Sequence, residues 1–141
     1  MIDRETFRLQ LERHEGRRLF PYVDTVGKVT IGCGRNLTDC GIRDTEADLM
    51  LDNDITECLA ELDVRLPWSE RLDEVRQRVL ADMMFNLGWS RLSRFTRTLT
   101  AIERGEYGTA ATQMLTSLWA RQVGQRAQRL AAMMATGKEQ P

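Results

Sequence analysis

Apolar positions recur along this chain with two different periods. Phe7 and Leu11, with the neighbouring His14, fall at i, i+4 and i+7, so the first segment predicts a helix capped by Asp3, running to about His14 and stopped at Gly16. The run Leu19-Phe20-Pro21-Tyr22-Val23 and the run Val29–Cys33 flank Thr25-Val26-Gly27-Lys28, which predicts a β-hairpin. From Thr45 the period is helical again. Thr45-Glu46-Ala47-Asp48 has the spacing of a capping box, and Leu49, Leu51, Ile55, Leu59 and Leu62 form the apolar side of a helix ending near Asp63. Leu66-Pro67-Trp68 breaks it. Ser69 is placed to cap the next helix, through Leu72, Val75, Val79, Leu80, Met83 and Met84 to Leu87, with Gly88 as its stop. Three shorter helices follow, at about 96–104, 107–118 and 123–135, with Gly105 and Gly137 as stops.

One helix, a small β-region, a long helix and a helical remainder make an α+β fold that is mostly α. The chain of 141 residues suits one domain of two lobes. The charge balance places the boundary: residues 1–63 carry 8 Lys/Arg against 14 Asp/Glu, and residues 64–141 carry 12 against 7. The whole chain carries a net charge of −1, which gives no electrostatic case for nucleic acid, although the basic second half suits an anionic polymer. Cys33, Cys40 and Cys58 form no disulfide framework and no CxxC pair. Cys33 reads as a small buried residue. A single histidine, His14, excludes a His-rich metal site, and we expect neither metal nor cofactor. His14 reads as packing or solvent-facing. The N-terminus lacks an apolar core segment of a signal peptide, and no apolar run is long enough to span a membrane, so cytoplasmic synthesis without stable membrane insertion is expected.

The residues with chemistry in them are Glu15, Asp24 and Thr30. A carboxyl at a helix C-terminus, with partial burial, favours the protonated form that a general acid needs. Arg17 and Arg18 oppose this if they turn towards it. The hairpin can bring Asp24 and Thr30 together. A carboxylic acid on one side, and a carboxylate with a hydroxyl on the other, suit an inverting glycosidase whose two carboxyls stand roughly 6.5–9.5 Å apart around a water. By residue type alone, a helix-end Glu, a turn Asp and a strand Thr fit the same positions without chemistry.

The segment His14–Asn36 resembles the active-site region of the phage-type lysozymes, glycoside hydrolase family 24. The family pattern is Glu-Gly, Asp-Thr-x-Gly and Thr-Ile-Gly-x-Gly; here it reads Glu15-Gly16, Asp24-Thr25-Val26-Gly27 and Thr30-Ile31-Gly32-Cys33-Gly34. A looser likeness extends through the helix Arg78–Gly88, through Phe95-Thr96 and Ser117-Leu118-Trp119, and through Gln125-Arg126-Ala127 to Thr136-Gly137. The resemblance implies a lysozyme-like fold with a cleft. Its N-terminal lobe covers about 14–62, and helix 3–14 packs with a C-terminal lobe of about 63–137. It implies Glu15 as general acid and Asp24 with Thr30 as water-positioning pair. Gly34, Asn86, Gln113 and Arg126 are implied at the substrate, with Arg126 near the catalytic Glu and Trp119 in the core. Arg35 stands where the family commonly has His, which suggests a structural role there.

The activity so implied is hydrolysis of the β-1,4 bond between N-acetylmuramic acid and N-acetylglucosamine in peptidoglycan. The actor would be a monomer that binds no nucleic acid and reaches the wall through a holin-like pore. A lytic transglycosylase and a non-catalytic wall-binding module on the same fold are the alternatives.

Overall fold

Glycines and short polar side chains set most element boundaries in this molecule. The computed structural model describes all residues, Met1–Pro141, and divides them into two compact units, Met1–Met50 and Leu51–Pro141.

In the first unit, helix α1 spans Arg4–Glu15. The Asp3 carboxylate caps it by accepting from the Thr6 N–H at 3.0 Å. Gly16, at φ +76°, ends it by donating its N–H to Glu12. Strands β1 (Arg18–Val23), β2 (Val29–Gly32) and β3 (Arg35–Asn36) form an antiparallel meander in that order. Thr30 pairs with Tyr22 on one side and Asn36 on the other, which buries it in the central strand. Between Arg18 and Tyr22 the register of β1 slips, forming a bulge around Pro21, which has no N–H to give the ladder.

The pairing of Arg35–Asn36 and the one-turn helix α2 (Leu37–Cys40) carry no strong sequence signal. Both depend on Asn36, whose side chain accepts from the Asp39 N–H at 3.0 Å and turns the chain out of the sheet.

Helix α3 runs from Asp44 to Arg65. Its start corrects the sequence expectation. Thr45 is already inside the helix, and the cap comes from Glu46, which accepts from the Arg43 N–H at 3.1 Å. The apolar side also differs from expectation. Leu62 is buried, but Leu49, Leu51, Ile55 and Leu59 are exposed.

In the second unit, Leu66 leaves helical geometry and a 3₁₀ turn covers Pro67–Arg71. Ser69 is buried in that turn and does not cap the following helix; Asp73 does, accepting from the Arg76 N–H at 3.1 Å. Helix α4 spans Glu74–Leu92 and is broken at Gly88, whose φ of +73° and ψ of 165° interrupt it where the sequence places its stop. Then come α5 (Thr96–Glu103), α6 (Tyr107–Leu115), α7 (Leu118–Val123) and α8 (Gln125–Thr136). Helix α6 stops short of the end expected for it near residue 118. The chain restarts as α7 because the Ser117 hydroxyl caps it through the Ala120 N–H.

The core of this unit gathers Val79, Leu80 and Met83 from α4, Ile102 from α5, Met114 from α6 and Met134 from α8, all fully buried. Each such side chain contributes about 1.5–3 kcal/mol through its removal from water. The Met83–Met84 and Met133–Met134 pairs are core residues.

Candidate active site

The last turn of α1, the β1–β2 turn and the strand after it carry the three central residues, all within the first unit. Glu15 is the final residue of α1. Its carboxyl lies directly against Gly34: a Cβ built on that glycine would stand 2.8 Å from Oε2 and 2.9 Å from the carboxyl carbon. Gly34 also has φ +81°, a conformation that side chains with Cβ rarely adopt. The second glycine of the Gly-x-Gly motif therefore makes room for the acid.

Glu15 is exposed, where the sequence suggested partial burial. The flanking cations are turned to other partners. Arg17 reaches Glu12 at 3.7 Å, and the Arg18 guanidinium stacks on the Tyr22 ring at 4.5 Å.

Asp24 organises its own turn. Its backbone N–H donates to the Lys28 carbonyl at 2.9 Å, and Gly27 donates to the Asp24 carbonyl at 3.1 Å. The side-chain Oδ1 accepts from the Val26 N–H at 2.9 Å and the Lys28 N–H at 2.8 Å. One carboxylate oxygen is thus spent on the loop, and Oδ2 has no partner within it. Thr30 Oγ1 donates its proton to the Lys28 carbonyl at 3.0 Å. With that proton committed, the hydroxyl oxygen offers lone pairs and acts as an acceptor towards any further partner. Both side chains are fixed by the backbone of Lys28, so the turn sets their relation to each other.

Arg35 behaves as a clamp. It donates to Glu46 at 3.0 Å and to the Gly41 carbonyl at 3.3 Å, tying β3 to the start of α3. These bonds to Glu46, first that from Arg35 and then that from the Arg43 backbone, pull the pKa of its carboxyl down to about 2. Cys33 and Cys40 are exposed, which corrects the expectation that Cys33 is buried; it follows Gly32, the last residue of β2, and lies outside the strand. Cys58 is half-buried and donates to the Ala81 carbonyl at 3.3 Å, and burial, with the Asp82 charge, pushes its thiol pKa up. His14 is exposed.

The other candidates lie in the second unit. Asn86 is exposed on α4, and its Oδ1 accepts from Trp119 Nε1 at 2.7 Å, which leaves its amide N–H groups to donate. Trp119 is buried and packs edge-on against Phe95, with ring centroids 6.1 Å apart. Gln113 is half-buried on α6, lining a depression with Phe95 and Trp119. Arg126 is gripped by Asp82, Nε at 2.8 Å and one terminal nitrogen at 2.6 Å from the same oxygen. The Asp82 partnership escaped the sequence reading, because Asp82 and Arg126 lie 44 residues apart on different helices. No three His, Cys, Asp or Glu side chains cluster closely enough to hold a metal ion.

The sequence model of the family described as phage lysozyme matches residues 12–135. Two Dictyostelium discoideum proteins, named as probable T4-type lysozymes 2 and 1, are 26% and 25% identical over 156 residues, covering 90% of this chain and 92% of each relative. The pre-baseplate central spike protein Gp5 of Enterobacteria phage T4 is 26% identical over 155 residues, covering 90% of this chain and 27% of that protein.

Proposed function

Because the chain belongs to the phage lysozyme family and is a glycoside hydrolase, we propose that it cleaves the β-1,4 bond between N-acetylmuramic acid and N-acetylglucosamine in peptidoglycan, with inversion at the anomeric carbon. Glu15 is the general acid and protonates the leaving glycosidic oxygen. Asp24 and Thr30 hold the attacking water. The observation that carries this reading is the division of labour at Asp24 and Thr30: Asp24 Oδ1 and the Thr30 proton are consumed by the turn, while Asp24 Oδ2 and the Thr30 lone pairs are left as two acceptors. A water donating one proton to each has its own lone pair directed away from the turn. As its oxygen attacks the sugar, Asp24 takes the proton.

Gly34 leaves space for the acid to turn towards its substrate. The free amide N–H groups of Asn86 and the side-chain amide of Gln113 are assigned to the N-acetyl groups of the glycan. Arg126 is fixed by Asp82 through two nitrogens, and its remaining N–H groups are assigned to glycan oxygens. No helix is long and apolar enough to cross a membrane; we assign passage to the wall to a separate holin-like pore. Lysis of the bacterial cell is the expected consequence.

The test is mass spectrometry of purified peptidoglycan digested by the wild type and by Glu15→Gln. Reducing muropeptides from the wild type alone are expected. Anhydro ends would make the protein a lytic transglycosylase, and intact glycan from both would make it a binding module. Inversion of a β bond releases the α anomer first, which proton NMR of early product reads directly.

A further inference from the structure

The peptide unit between Lys28 and Val29 carries bonds on both of its sides. Its carbonyl oxygen accepts from the Thr30 hydroxyl at 3.0 Å and from the Asp24 N–H at 2.9 Å. Its N–H belongs to Val29 and points the opposite way, because a trans peptide is planar and directs C=O and N–H to opposite sides. That N–H donates to the Thr38 hydroxyl oxygen at 2.8 Å. Thr38, the second residue of α2, thus grips the far side of the same plane whose carbonyl holds Thr30.

The bond is not part of the sheet. Strand β3 ends at Asn36, which pairs with Thr30, so no residue of β3 stands opposite Val29. The Thr38 hydroxyl supplies the acceptor that a longer strand would have given as a carbonyl. Helix α2 buries no side chain, so apolar packing does not hold it in place. Polar bonds do. Asn36 Oδ1 accepts from the Asp39 N–H at 3.0 Å, and Asn36 Nδ2 donates to Asp39 Oδ2 at 2.9 Å. Lys28 Nζ reaches Asp39 Oδ1 at 3.2 Å, but that pair is exposed on both sides and contributes little by itself. The bond from Val29 to Thr38 is the one that acts on the peptide plane directly.

We propose that Thr38 is a positioning residue for the hydrolytic step, an inference that rests on the reading of Asp24 and Thr30 as the water-holding pair. By fixing the Lys28–Val29 plane, Thr38 fixes the carbonyl that takes the Thr30 proton, and with it the direction of the Thr30 lone pairs. Donation by the Val29 N–H also polarises the peptide and makes the Lys28 carbonyl a stronger acceptor. Without the Thr38 hydroxyl, solvent replaces it at this exposed bond and the plane is free to rock. The Thr30 hydroxyl then spends part of its time turned away from Lys28, with its proton where the attacking water should donate. The loss falls on the reaction step rather than on glycan binding.

The experiment compares Thr38→Val, which keeps the shape and removes the acceptor, with Thr38→Ser, which keeps the acceptor, on soluble uncross-linked peptidoglycan strands. Thr38 is exposed and α2 buries nothing, so both variants are expected to fold, with unchanged circular-dichroism melts. Thr38→Val should lower kcat about tenfold with KM unchanged, and Thr38→Ser should restore it. In a Thr30→Val background, the Thr38→Val change should cost less than about twofold, since the hydroxyl it orients is gone. The carbon-13 shift of the Lys28 carbonyl reads the same linkage without turnover: it should move in Thr38→Val and return in Thr38→Ser. An unchanged kcat in Thr38→Val, a rise in KM alone, no rescue by serine, or an equal loss with and without the Thr30 hydroxyl would overturn the proposal while leaving the hydrolase intact. A fully active Thr30→Val enzyme would instead remove Thr30 from the mechanism, and the role of Thr38 with it; that failure is read on Thr30 alone.

Discussion

At the scale of single residues, the proposed chemistry makes separable demands on Glu15, Asp24, Thr30 and Gly34. Glu15→Gln keeps the shape of the side chain over Gly34 and removes only its acid function. Turnover is expected to fall by about 10²–10⁴-fold with an unchanged circular-dichroism melt. Asp24→Asn is informative because asparagine keeps an Oδ1 acceptor for the Val26 and Lys28 N–H groups, so the turn survives. What is lost is the proton acceptor on the other oxygen. Turnover should collapse while sedimentation with insoluble wall is retained; a fully active Asp24→Asn enzyme would remove Asp24 from the mechanism. Gly34→Ala combines a 2.8 Å contact with the Glu15 carboxyl and a left-handed backbone. Its expected cost to stability is about 1–2 kcal/mol, and displacement of the acid by about 1 Å is worth on the order of 10² in rate. kcat should therefore fall far more than the melting temperature shift accounts for.

At the scale of elements, the start of α3 is held by one carboxylate doing three jobs. Glu46 accepts from the Arg43 backbone, from the Arg43 side chain and from Arg35. Its folded-state pKa of about 2 lies below the ordinary value of 4.5. A depressed carboxyl contributes stability that is present above its unfolded pKa and lost as pH falls through the folded one. The clamp between β3 and α3 should therefore weaken only between about pH 4.5 and 2. A side-chain NMR titration of Glu46, with the Arg43 amide as reporter, checks this, and Glu46→Gln should blunt the Arg43 response. A Glu46 midpoint at the ordinary value would mean that the clamp does not form in solution.

At the scale of the whole chain, accessibility ranks the three thiols. Cys33 and Cys40 are exposed, whereas Cys58 is half-buried and its thiol pKa is pushed up by burial and by the Asp82 charge. A thiolate-selective alkylating reagent should label the first two rapidly and Cys58 slowly, with Cys58 catching up on denaturation. Cys58 sits on α3 and donates to the Ala81 carbonyl of α4, so its labelling reports separation of these two helices. The folded stability rests heavily on the helical unit, where α4, α5, α6 and α8 bury their apolar faces together. Equal labelling rates for all three thiols in the native protein would mean that α3 does not hold its place against α4.

The sequence by itself determined the features that depend on neighbouring residues. The Asp3 cap, the Gly16, Gly88, Gly105 and Gly137 stops and the hairpin turn at Asp24–Lys28 are all local, because a backbone hydrogen bond or a positive φ is set within a few residues. The Glu-Gly, Asp-Thr-x-Gly and Thr-Ile-Gly-x-Gly spacing was legible for the same reason: one helix end and one hairpin carry it. Only the tertiary structure decided which caps are used and where side chains go. Thr45 and Ser69 have capping chemistry, yet Glu46 and Asp73 make the bonds, because several acceptors compete within one turn and the path of the chain selects among them. Periodicity named an apolar side of α3 but did not decide its burial, which depends on what packs against it; Leu62 found a core, while Ile55, two turns earlier on the same side, stays exposed. The pairings of Arg126 with Asp82, Asn86 with Trp119 and Arg35 with Glu46 join residues from different elements, and no local pattern encodes a partner that far along the chain.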